Sequence, residues 1–408
     1  MPENLAQRSG LSHRQIAAWR NGIFVVFAMC GVGLASWMAR IPAIKEALDI
    51  STAEVGILIF GLAAGSIFGL VLSSHLIARF GARHIMVACM VAIPGGFAIA
   101  GFGVTVHAAF WIVIVGLAIF GFSMGLCDVA MNLSGAVNER VLGRTIMPVF
   151  HAFFSFGTMV GAALGTLAEV AQVPLALQTA VIGALTLVAG VWGARATQSE
   201  NVLREEDGGA EGGSPADGWR GRLAVWKDPR TLLIGLVVLG MAFAEGSASD
   251  WLALAAVEGH GADKPTGAVV FGIFVTAMTV GRLTGPQILD RYGRVTVLRA
   301  SAALAALGLL MFIFVPVLWI AIVGVILWGL GSALGFPTGM SAAADDPRTA
   351  AARVSAVAMI GYCAFLVGPP AIGFLGQHFG LLHALLLVLV LIVVAGLASG
   401  AARDPSKA

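Results

Sequence analysis

Long apolar runs separated by short polar segments dominate this sequence. Twelve runs of mostly apolar residues occupy approximately 21–41, 52–76, 85–103, 108–136, 146–168, 174–194, 231–254, 267–288, 295–314, 317–340, 354–376 and 381–402. A membrane-spanning helix needs about 20 such residues. The runs are continuously apolar, whereas barrel strands alternate. The pattern predicts an all-α polytopic membrane protein with 12 transmembrane helices, numbered below as spans one to twelve.

The composition supports a membrane protein and excludes several other classes. Charged residues make up 11% of the chain and hydrophobic residues 58%, with a mean hydropathy of +0.92. A soluble globular protein carries about 25% charged residues. This excludes an ordinary soluble enzyme, a disordered protein and a disulfide-stapled secreted domain. The net charge of +2 gives no electrostatic argument for nucleic acid as a partner.

A polar segment at 196–230 divides the apolar runs into six and six. Its sequence from Arg204 to Pro215 is charged and Gly-rich, which indicates a flexible linker. The predicted organisation is an N-terminal six-helix bundle at 1–195, a linker at 196–230 and a C-terminal six-helix bundle at 231–408. Trp219, Leu223 and Trp226 share one helical face, which predicts a short helix on the inner membrane surface or a packed cytoplasmic helix.

The distribution of basic residues predicts the orientation. With a cytoplasmic N-terminus, that terminus, the even-numbered connections, the linker and the C-terminus together hold 20 of the 24 Lys and Arg residues. The remaining four are Arg40, Lys45, Lys264 and Arg282. We therefore expect a multi-pass protein with both termini in the cytoplasm. The excess of Arg over Lys and the short loops favour a bacterial inner membrane.

The two halves of the chain repeat each other. Arg79-Phe80-Gly81 after span two corresponds to Arg291-Tyr292-Gly293 after span eight, an offset of 212 residues. Gly121 and Gly125 of span four match Gly331 and Gly335 of span ten at an offset of 210. Similar offsets at separate places indicate a duplicated six-helix unit.

These features together resemble the major facilitator superfamily (MFS), and the resemblance covers the whole chain. The segment from Gly285 to Arg294 is close to the family signature Gly-x-x-x-Asp-Arg-x-Gly-Arg, and its N-terminal copy has Ala78 in place of the acid. The resemblance implies two pseudo-symmetric six-helix bundles and a gate latch at these loops. The implied latch residues are Arg79, Gly81, Arg83, Arg282, Asp290, Arg291, Gly293 and Arg294.

Asp128 is the clearest candidate for chemistry inside the membrane. Ionisable groups in a bilayer cost about 2.5–3.5 kcal/mol each on insertion scales, so they are functional candidates or structural ion pairs. Gly121, Gly125, Asp128 and Asn132 form one stripe of span four, where small residues admit another helix or a substrate. The segment Leu126–Asn132 resembles the fucose permease branch of the family, which implies that Asp128 takes part in proton coupling.

Glu245 is the second candidate for proton coupling. It lies about 21 Å along span seven, near the middle of the membrane. Gly246 and Ser247 follow it, which predicts a loosened helix. Asp250 lies about 140° from Glu245 on an intact helix. It therefore shares a cavity with Glu245 if the helix bends, or is solvated at the outer mouth.

Further candidates for substrate binding lie near the outer ends of spans one and seven. Trp37 and Trp251 occupy corresponding places in the two halves and are either stacking platforms or interfacial anchors. Arg40 is placed to meet an anionic substrate or Asp250, or else it is solvated. His151 is interpreted as a packed histidine rather than a proton relay. Glu54 completes a capping box with Ser51.

Other chemistry has little support in the sequence. The four cysteines lie in apolar runs without metal-ligand spacing, which predicts packing roles, no metal site and no cofactor. No phosphate-binding Gly-x-x-x-x-Gly-Lys loop and no hydrolase motif occurs, so neither ATP-driven transport nor an enzyme is expected.

We therefore expect a monomeric secondary transporter for a small polar solute. Two bundles would rock about a site between spans one, four, seven and ten, with Asp128 as the proton carrier and Glu245 assisting it. Asn132, Trp37, Trp251, Asp250 and Arg40 would bind substrate. A sugar-like substrate is implied by the resemblance. Sodium is an alternative coupling ion, and a proton-driven drug or metabolite efflux antiporter of the same fold is the alternative function.

Overall fold

The computed structural model describes residues 10–106, 108–143, 146–199, 225–343, 345 and 350–403. Within these ranges, twelve helices are long and apolar enough to cross a membrane. Those of the first half are His13–Met38, Thr52–Phe80, Ala82–Thr105, Phe110–Leu142, Val149–Val170 and Leu175–Ala196. Those of the second half are Pro229–His260, Lys264–Tyr292, Arg294–Phe314, Leu318–Ala343, Arg353–Phe379 and Leu381–Ala402. The predicted all-α fold with twelve spans is confirmed.

Several helices extend beyond the predicted apolar runs. Span one begins at His13, eight residues earlier than predicted, because Ser12 and Gln15 form a capping box at its start. Span four continues to Leu142, where Gly143 in the left-handed conformation ends it. Apolar patterning marks the segment that suits the bilayer, whereas backbone hydrogen bonding continues into polar turns.

Some spans are not uniform α-helices. Span six contains a π-helical segment at Thr186–Gly190, and span ten is divided into Leu318–Ser332 and Gly335–Ala343. Span twelve consists of Leu381–Ala384, Leu386–Ala398 and a 3₁₀ turn at Ser399–Ala402. A short helix, Ile41–Leu48, follows span one. A 3₁₀ turn, Val225–Lys227, precedes span seven.

The chain forms two compact units. The first comprises Met1–Ile50 and Leu58–Glu211, and the second Ser51–Ile57 and Gly212–Ala408, each over its described residues. The predicted surface helix around Trp219 and Leu223 lies outside the described residues. Trp226, within the 3₁₀ turn, is 37% exposed.

Close glycine contacts hold the helices of each unit together. In the first unit, a Cβ atom on Gly157 of span five would overlap the Ala28 carbonyl oxygen of span one. Spans three and four meet at Gly96 and Gly116 in the same way. In the second unit, Gly308 and Gly324 form the corresponding contact between spans nine and ten. Helices in lipid associate through such close packing, so the repeated contact supports a duplicated architecture.

Glycine also forms the tight turns that join consecutive spans. Gly81, Gly293 and Gly380 have φ values of 81°, 76° and 81°, in the region that L side chains avoid. Gly293 and Gly380 have no neighbouring atom within 4 Å of a built Cβ, so backbone conformation alone requires glycine there. The predicted glycine turn after spans two and eight is therefore present in both copies.

Large buried side chains fill the interior of each unit. Trp19 of span one is fully buried and donates its indole N–H to Ser134 Oγ of span four at 2.8 Å. Trp328 of span ten packs on Phe274 and Phe312 in the second unit. Cys30, Cys89 and Cys127 are buried as expected for packing residues, whereas Cys363 is exposed and does not fit that prediction.

Candidate functional site

In the first unit, Asp128 is a partly buried carboxylate near the middle of span four. It lies about 27 Å of helix from Phe110 and about 21 Å from Leu142. Asn132, one turn later, donates its amide to the Asp128 carbonyl at 2.8 Å and to Asp128 Oδ1 at 3.1 Å. Among the residues that the structure describes, no cation lies within ion-pair distance of Asp128. The carboxylate is stabilised by an amide rather than by a charge.

The glycines of the same stripe pack against span two. Cβ atoms on Gly121 and Gly125 would overlap the carbonyl oxygens of Leu62 and Ser66. The small residues of span four were expected to admit either another helix or a substrate. The structure shows that they pack against another helix. Asp128 lies directly beyond this contact along the helix.

In the second unit, Glu245 of span seven forms an ion pair with Arg282 of span eight. Arg282 Nη2 lies 2.7 Å from Glu245 Oε1. Glu245 is about 24 Å of helix from Pro229, and Arg282 about 15 Å from Tyr292, so the pair lies deep within the spans. The side chains are 21% and 30% exposed, respectively. Unlike a sealed pair, these two groups remain partly accessible.

Span seven runs unbroken past Glu245, so the predicted loosening at Gly246 and Ser247 is wrong. The helix is continuous from Pro229 to His260, and Ser249 Oγ donates to the Glu245 carbonyl at 3.0 Å. On this intact helix Asp250 projects about 140° away from Glu245. Asp250 is partly buried and has no hydrogen-bond or ion-pair partner within the described ranges. The two acids therefore do not share one face of span seven.

The loop after span eight carries a different ionic contact from the one predicted. Asp290 is exposed and forms no ion pair with any described residue. Arg294 instead pairs with Asp345 at 2.6 Å, and Arg230 contacts the other oxygen of Asp345 at 2.8 Å. Arg282 was predicted in this latch, but its side chain pairs with Glu245. Asp345, beyond span ten, is the acid that joins these helix ends because it reaches two arginines at once.

The loop after span two repeats the aromatic contact but not the ionic one. Arg79 lies over the Phe80 ring at 5.3 Å, and Arg291 lies over the Tyr292 ring at the same distance. Arg83 donates to the Arg195 carbonyl at 2.7 Å, which joins the ends of spans three and six. The first unit thus uses a backbone oxygen where the second uses a carboxylate, consistent with Ala78 in its copy of the signature.

Comparisons with known proteins agree with this architecture. Residues 22–365 match the sequence profile of the Major Facilitator Superfamily. The chain belongs to this superfamily. It is 30% identical over 365 residues to the uncharacterized transporter y4wD of Sinorhizobium fredii, with 89% of this chain and 92% of that protein covered. It is a secondary transporter of small molecules and not an enzyme.

Solved structures show the same fold without singling out one branch. A point mutant of the nucleoside transporter NupG superposes with a TM-score of 0.74 at 15% identity, covering 98% of this chain and all of that one. A point mutant of the Escherichia coli fucose:proton symporter FucP superposes with a TM-score of 0.63 at 16% identity, covering 94% and 98%. Identities this low establish the fold alone. The expected nearness to the fucose permease branch is therefore reduced to membership of the superfamily.

Arg40 is not available to a substrate in this transporter. Its guanidinium pairs with Glu169 and donates to Gln178 Oε1 and, at 3.1 Å, to the Val173 carbonyl. Arg40, Glu169 and Gln178 are buried, with exposures of 5%, 4% and 5%. Burial lowers the pKa of the Arg40 guanidinium, and the charge of Glu169 opposes that shift. The substrate-binding prediction for Arg40 is corrected to a structural one.

The two predicted tryptophans are also interior packing residues. Trp37 is 1% exposed and packs beside Phe97 of span three at a ring distance of 5.8 Å. Trp251 is 0% exposed, and Gly373 of span eleven lies against its ring. Neither ring offers a surface to a solute in this conformation, nor does it anchor at a membrane interface. Both alternatives considered from the sequence are therefore replaced by packing.

Two predictions about single residues have clear outcomes. The Glu54 capping box is confirmed, since Ser51 N donates to Glu54 Oε2 at 2.8 Å and Glu54 N donates to Ser51 Oγ at 3.2 Å. His151 is exposed rather than packed inside, and its ring lies roughly perpendicular to that of Phe27, with the ring centroids 5.3 Å apart.

No group of three or more His, Cys, Asp or Glu side chains in the described ranges is arranged to hold a metal.

The partners of the predicted arginines were not foreseen from the sequence. Glu169, Gln178 and Asp345 were not singled out, although each completes a contact of a predicted arginine. A usable signal was present for two of them. Glu169 is an isolated acid at the end of span five on the same predicted side as Arg40. Asp345 follows span ten on the side of the basic loops.

Proposed function

We propose that this MFS transporter is a proton-coupled symporter of a small, polar, sugar-like solute, with Asp128 as the proton carrier. The observation that carries the proposal is a mid-span carboxylate with an amide partner and no cation beside it within the described residues. A charged carboxylate in a low dielectric is costly unless it is hydrated or paired. Asp128 is therefore neutral when closed off and releases its proton when water reaches it.

Asn132 supports this role of Asp128. Its amide donates to Oδ1 of the carboxylate, so one oxygen is held in place. The other oxygen has no partner among the residues described and is the atom that accepts the proton. Such a fixed, half-satisfied acid suits reversible protonation because the change of charge needs no rearrangement of the helix.

The proposed class of solute rests on relatives and on residue chemistry. FucP is named for fucose and NupG for nucleosides. Both solutes are rich in hydroxyl groups, which carboxylate and amide side chains bind by hydrogen bonds. Asp128, Asn132, Glu245 and Asp250 are side chains of this kind within the spans. The bias of basic residues supports cytoplasmic termini in a bacterial inner membrane.

Proteoliposomes that contain a pH-sensitive dye test the proposal. The full chain is reconstituted under an outside-acid gradient, and L-fucose, D-glucose, D-glucuronate, D-glucosamine and adenosine are added in turn. At least one solute should carry protons inward. Asp128→Asn should lower that proton entry by one proton for each solute molecule, while retaining exchange of labelled solute across the membrane. Asp263→Asn is the matched control, because Asp263 is an exposed helix cap and Asn caps equally well.

Three results would overturn the assignment. An unchanged number of protons per solute in Asp128→Asn would remove Asp128 from the mechanism. Solute uptake driven by a sodium gradient at constant pH would replace the proton. Solute expelled against proton entry would make the protein an efflux antiporter.

A further inference from the structure

The Glu245–Arg282 pair has an unusual combination of depth, exposure and unused hydrogen-bonding capacity. It lies deep in spans seven and eight, yet 30% of the Arg282 side chain is exposed. A guanidinium has five N–H donors. Within the described part of the chain, Arg282 uses one of them, toward Glu245 Oε1. The remaining donors can therefore receive a ligand.

The chemistry of the pair favours a ligand of one sign. An arginine does not lose its charge in a protein, whereas a carboxylate becomes neutral when it binds a proton. Protonation of the carboxylate is therefore the one change of charge open to such a pair, and it would leave Arg282 as an unbalanced cation. That state attracts an anion. A singly charged anion restores neutrality at Arg282, whereas a doubly charged phosphate would give the site a net charge of −1.

We propose that Arg282 binds the carboxylate of the transported solute and that Glu245 takes up a proton with it, in addition to the proton that Asp128 carries. This inference rests on the proposed function and narrows its substrate to a monocarboxylated, sugar-like solute. The planar fork of the guanidinium matches a carboxylate with two parallel N–H···O bonds. The proton goes to Glu245, the anion replaces that carboxylate at Arg282, and both leave together when Glu245 re-forms the pair.

Few other ionisable groups lie on the elements around Glu245. On span seven itself Asp250 projects about 140° away, and Arg230, Glu258 and His260 lie toward the helix ends. Span eight carries Lys264, Asp290, Arg291 and Tyr292 toward its ends, and span ten carries no charged residue. Among described residues, the neighbouring segments otherwise contribute Lys227, Arg353, Tyr362, Cys363, His378 and His383. Arg353 is engaged with Asp228. Arg282 is thus the cation that responds most directly to the charge of Glu245.

Binding measurements on the purified full chain test the inference with three probes of one ring framework. D-glucuronate, D-glucose and D-glucosamine differ in charge from −1 to +1. The wild type should bind glucuronate about 10- to 100-fold more tightly than glucose. That affinity should rise as pH falls, because binding takes up a proton. Preference for glucose or glucosamine, or absence of glucuronate binding, would overturn the inference.

Variants separate binding from folding. Arg282→Gln should reduce the glucuronate preference to that of glucose, and Arg282→Lys, which keeps the charge but loses the fork, should fall between. Glu245→Gln mimics the protonated acid and should bind glucuronate with a weaker dependence on pH than the wild type. Arg299→Gln, an exposed arginine of span nine, is the control and should match the wild type. An unchanged preference in Arg282→Gln, or a pH dependence in Glu245→Gln as strong as that of the wild type, would contradict the assignment.

This outcome can be distinguished from failure of the proposed function. Gradient-driven entry of neutral glucose that depends on Asp128 would support proton symport. It would refute the inference that the solute carries a carboxylate that binds Arg282. Tight binding of glucuronate through Arg282 without any proton-driven uptake would support carboxylate binding by Arg282 and refute proton symport.

Discussion

The two units share their packing but differ in how they treat charge. The first encloses its ion pair, Arg40–Glu169, at the ends of spans one and five and leaves Asp128 mid-span with an amide partner. The second places an ion pair, Glu245–Arg282, deep within the spans and leaves it partly accessible. Glycine contacts and glycine turns recur in both. The two units therefore share their glycine-based helix packing, while their charged positions differ.

The largest expected contrast concerns the two ion pairs. Glu169→Leu leaves the buried guanidinium of Arg40 without its anion, so the free energy of unfolding should fall by about 3–5 kcal/mol. Glu245→Leu removes the partner of a partly exposed arginine and should cost about 1 kcal/mol. Thermal and denaturant unfolding of the purified variants in detergent measures both. Equal losses would mean that the two pairs are equally sealed, which would contradict the difference drawn between the units.

The second contrast concerns the helix ends at the basic loops. Asp345→Asn breaks contacts with Arg230 and Arg294, so the free energy of unfolding should fall by about 1.5–3 kcal/mol. Asp290→Asn alters an exposed acid and should remain within about 0.5 kcal/mol of the wild type. The same unfolding measurements test both variants. A larger loss for Asp290 would restore the latch implied by the family signature.

The smallest contrast concerns the caps of spans one and seven. Span one is capped by the neutral Ser12, whereas span seven is capped by Asp228, which accepts from Thr231 at 2.7 Å and pairs with Arg353 at 3.0 Å. The hydrogen bond from Thr231, together with the charge of Arg353, lowers the pKa of Asp228 below its ordinary value. The folded state therefore gains stability from this group above about pH 4, and loses it as the pH falls through the lowered pKa.

Replacement of Asp228 should remove that pH dependence. Asp228→Ser keeps a cap of similar quality but loses the ion pair with Arg353, so it should be less stable than the wild type by about 0.5–1 kcal/mol at neutral pH. The difference should begin to shrink below about pH 4 and should be lost as the pH falls through the lowered pKa of Asp228. Melting temperatures of both proteins across this range provide the measurement, with Ser12→Ala as a pH-independent control. A difference that stays constant with pH would exclude the carboxylate as its source.

The fold was largely predictable because lipid imposes a simple rule. Each span must be apolar for about 20 residues, so Thr52–Phe80 and Lys264–Tyr292 are visible as runs in the sequence. Gly81 and Gly293 were predictable on similarly simple grounds, since tight turns between helices require a conformation that glycine adopts. Helix ends were less predictable, because capping by Ser12 continues span one beyond its apolar segment.

Individual residues of the candidate site could be predicted from the sequence, but their partners could not. An isolated acid within a span, such as Asp128 or Glu245, stands out from the sequence because its environment is apolar. Its partner does not stand out, because pairing depends on how two helices are rotated against each other. Arg282 lies 37 residues from Glu245 and was assigned to the loop it precedes. Trp37 and Trp251 were misjudged for the same reason, since a tryptophan near a helix end is buried or exposed according to its neighbours.

The turns at Gly293 and Gly380 restrict the configuration of the residue at Cα rather than the size of its side chain. Both residues have positive φ and empty space where a side chain would begin. An L-alanine would be strained there by the backbone conformation alone, whereas its mirror image favours positive φ. A D-alanine would also restrict the unfolded chain more than glycine does, which stabilises a protein by about 0.4–1 kcal/mol at compatible sites. The chain has glycine at these turns because the genetic code offers no mirror-image residue.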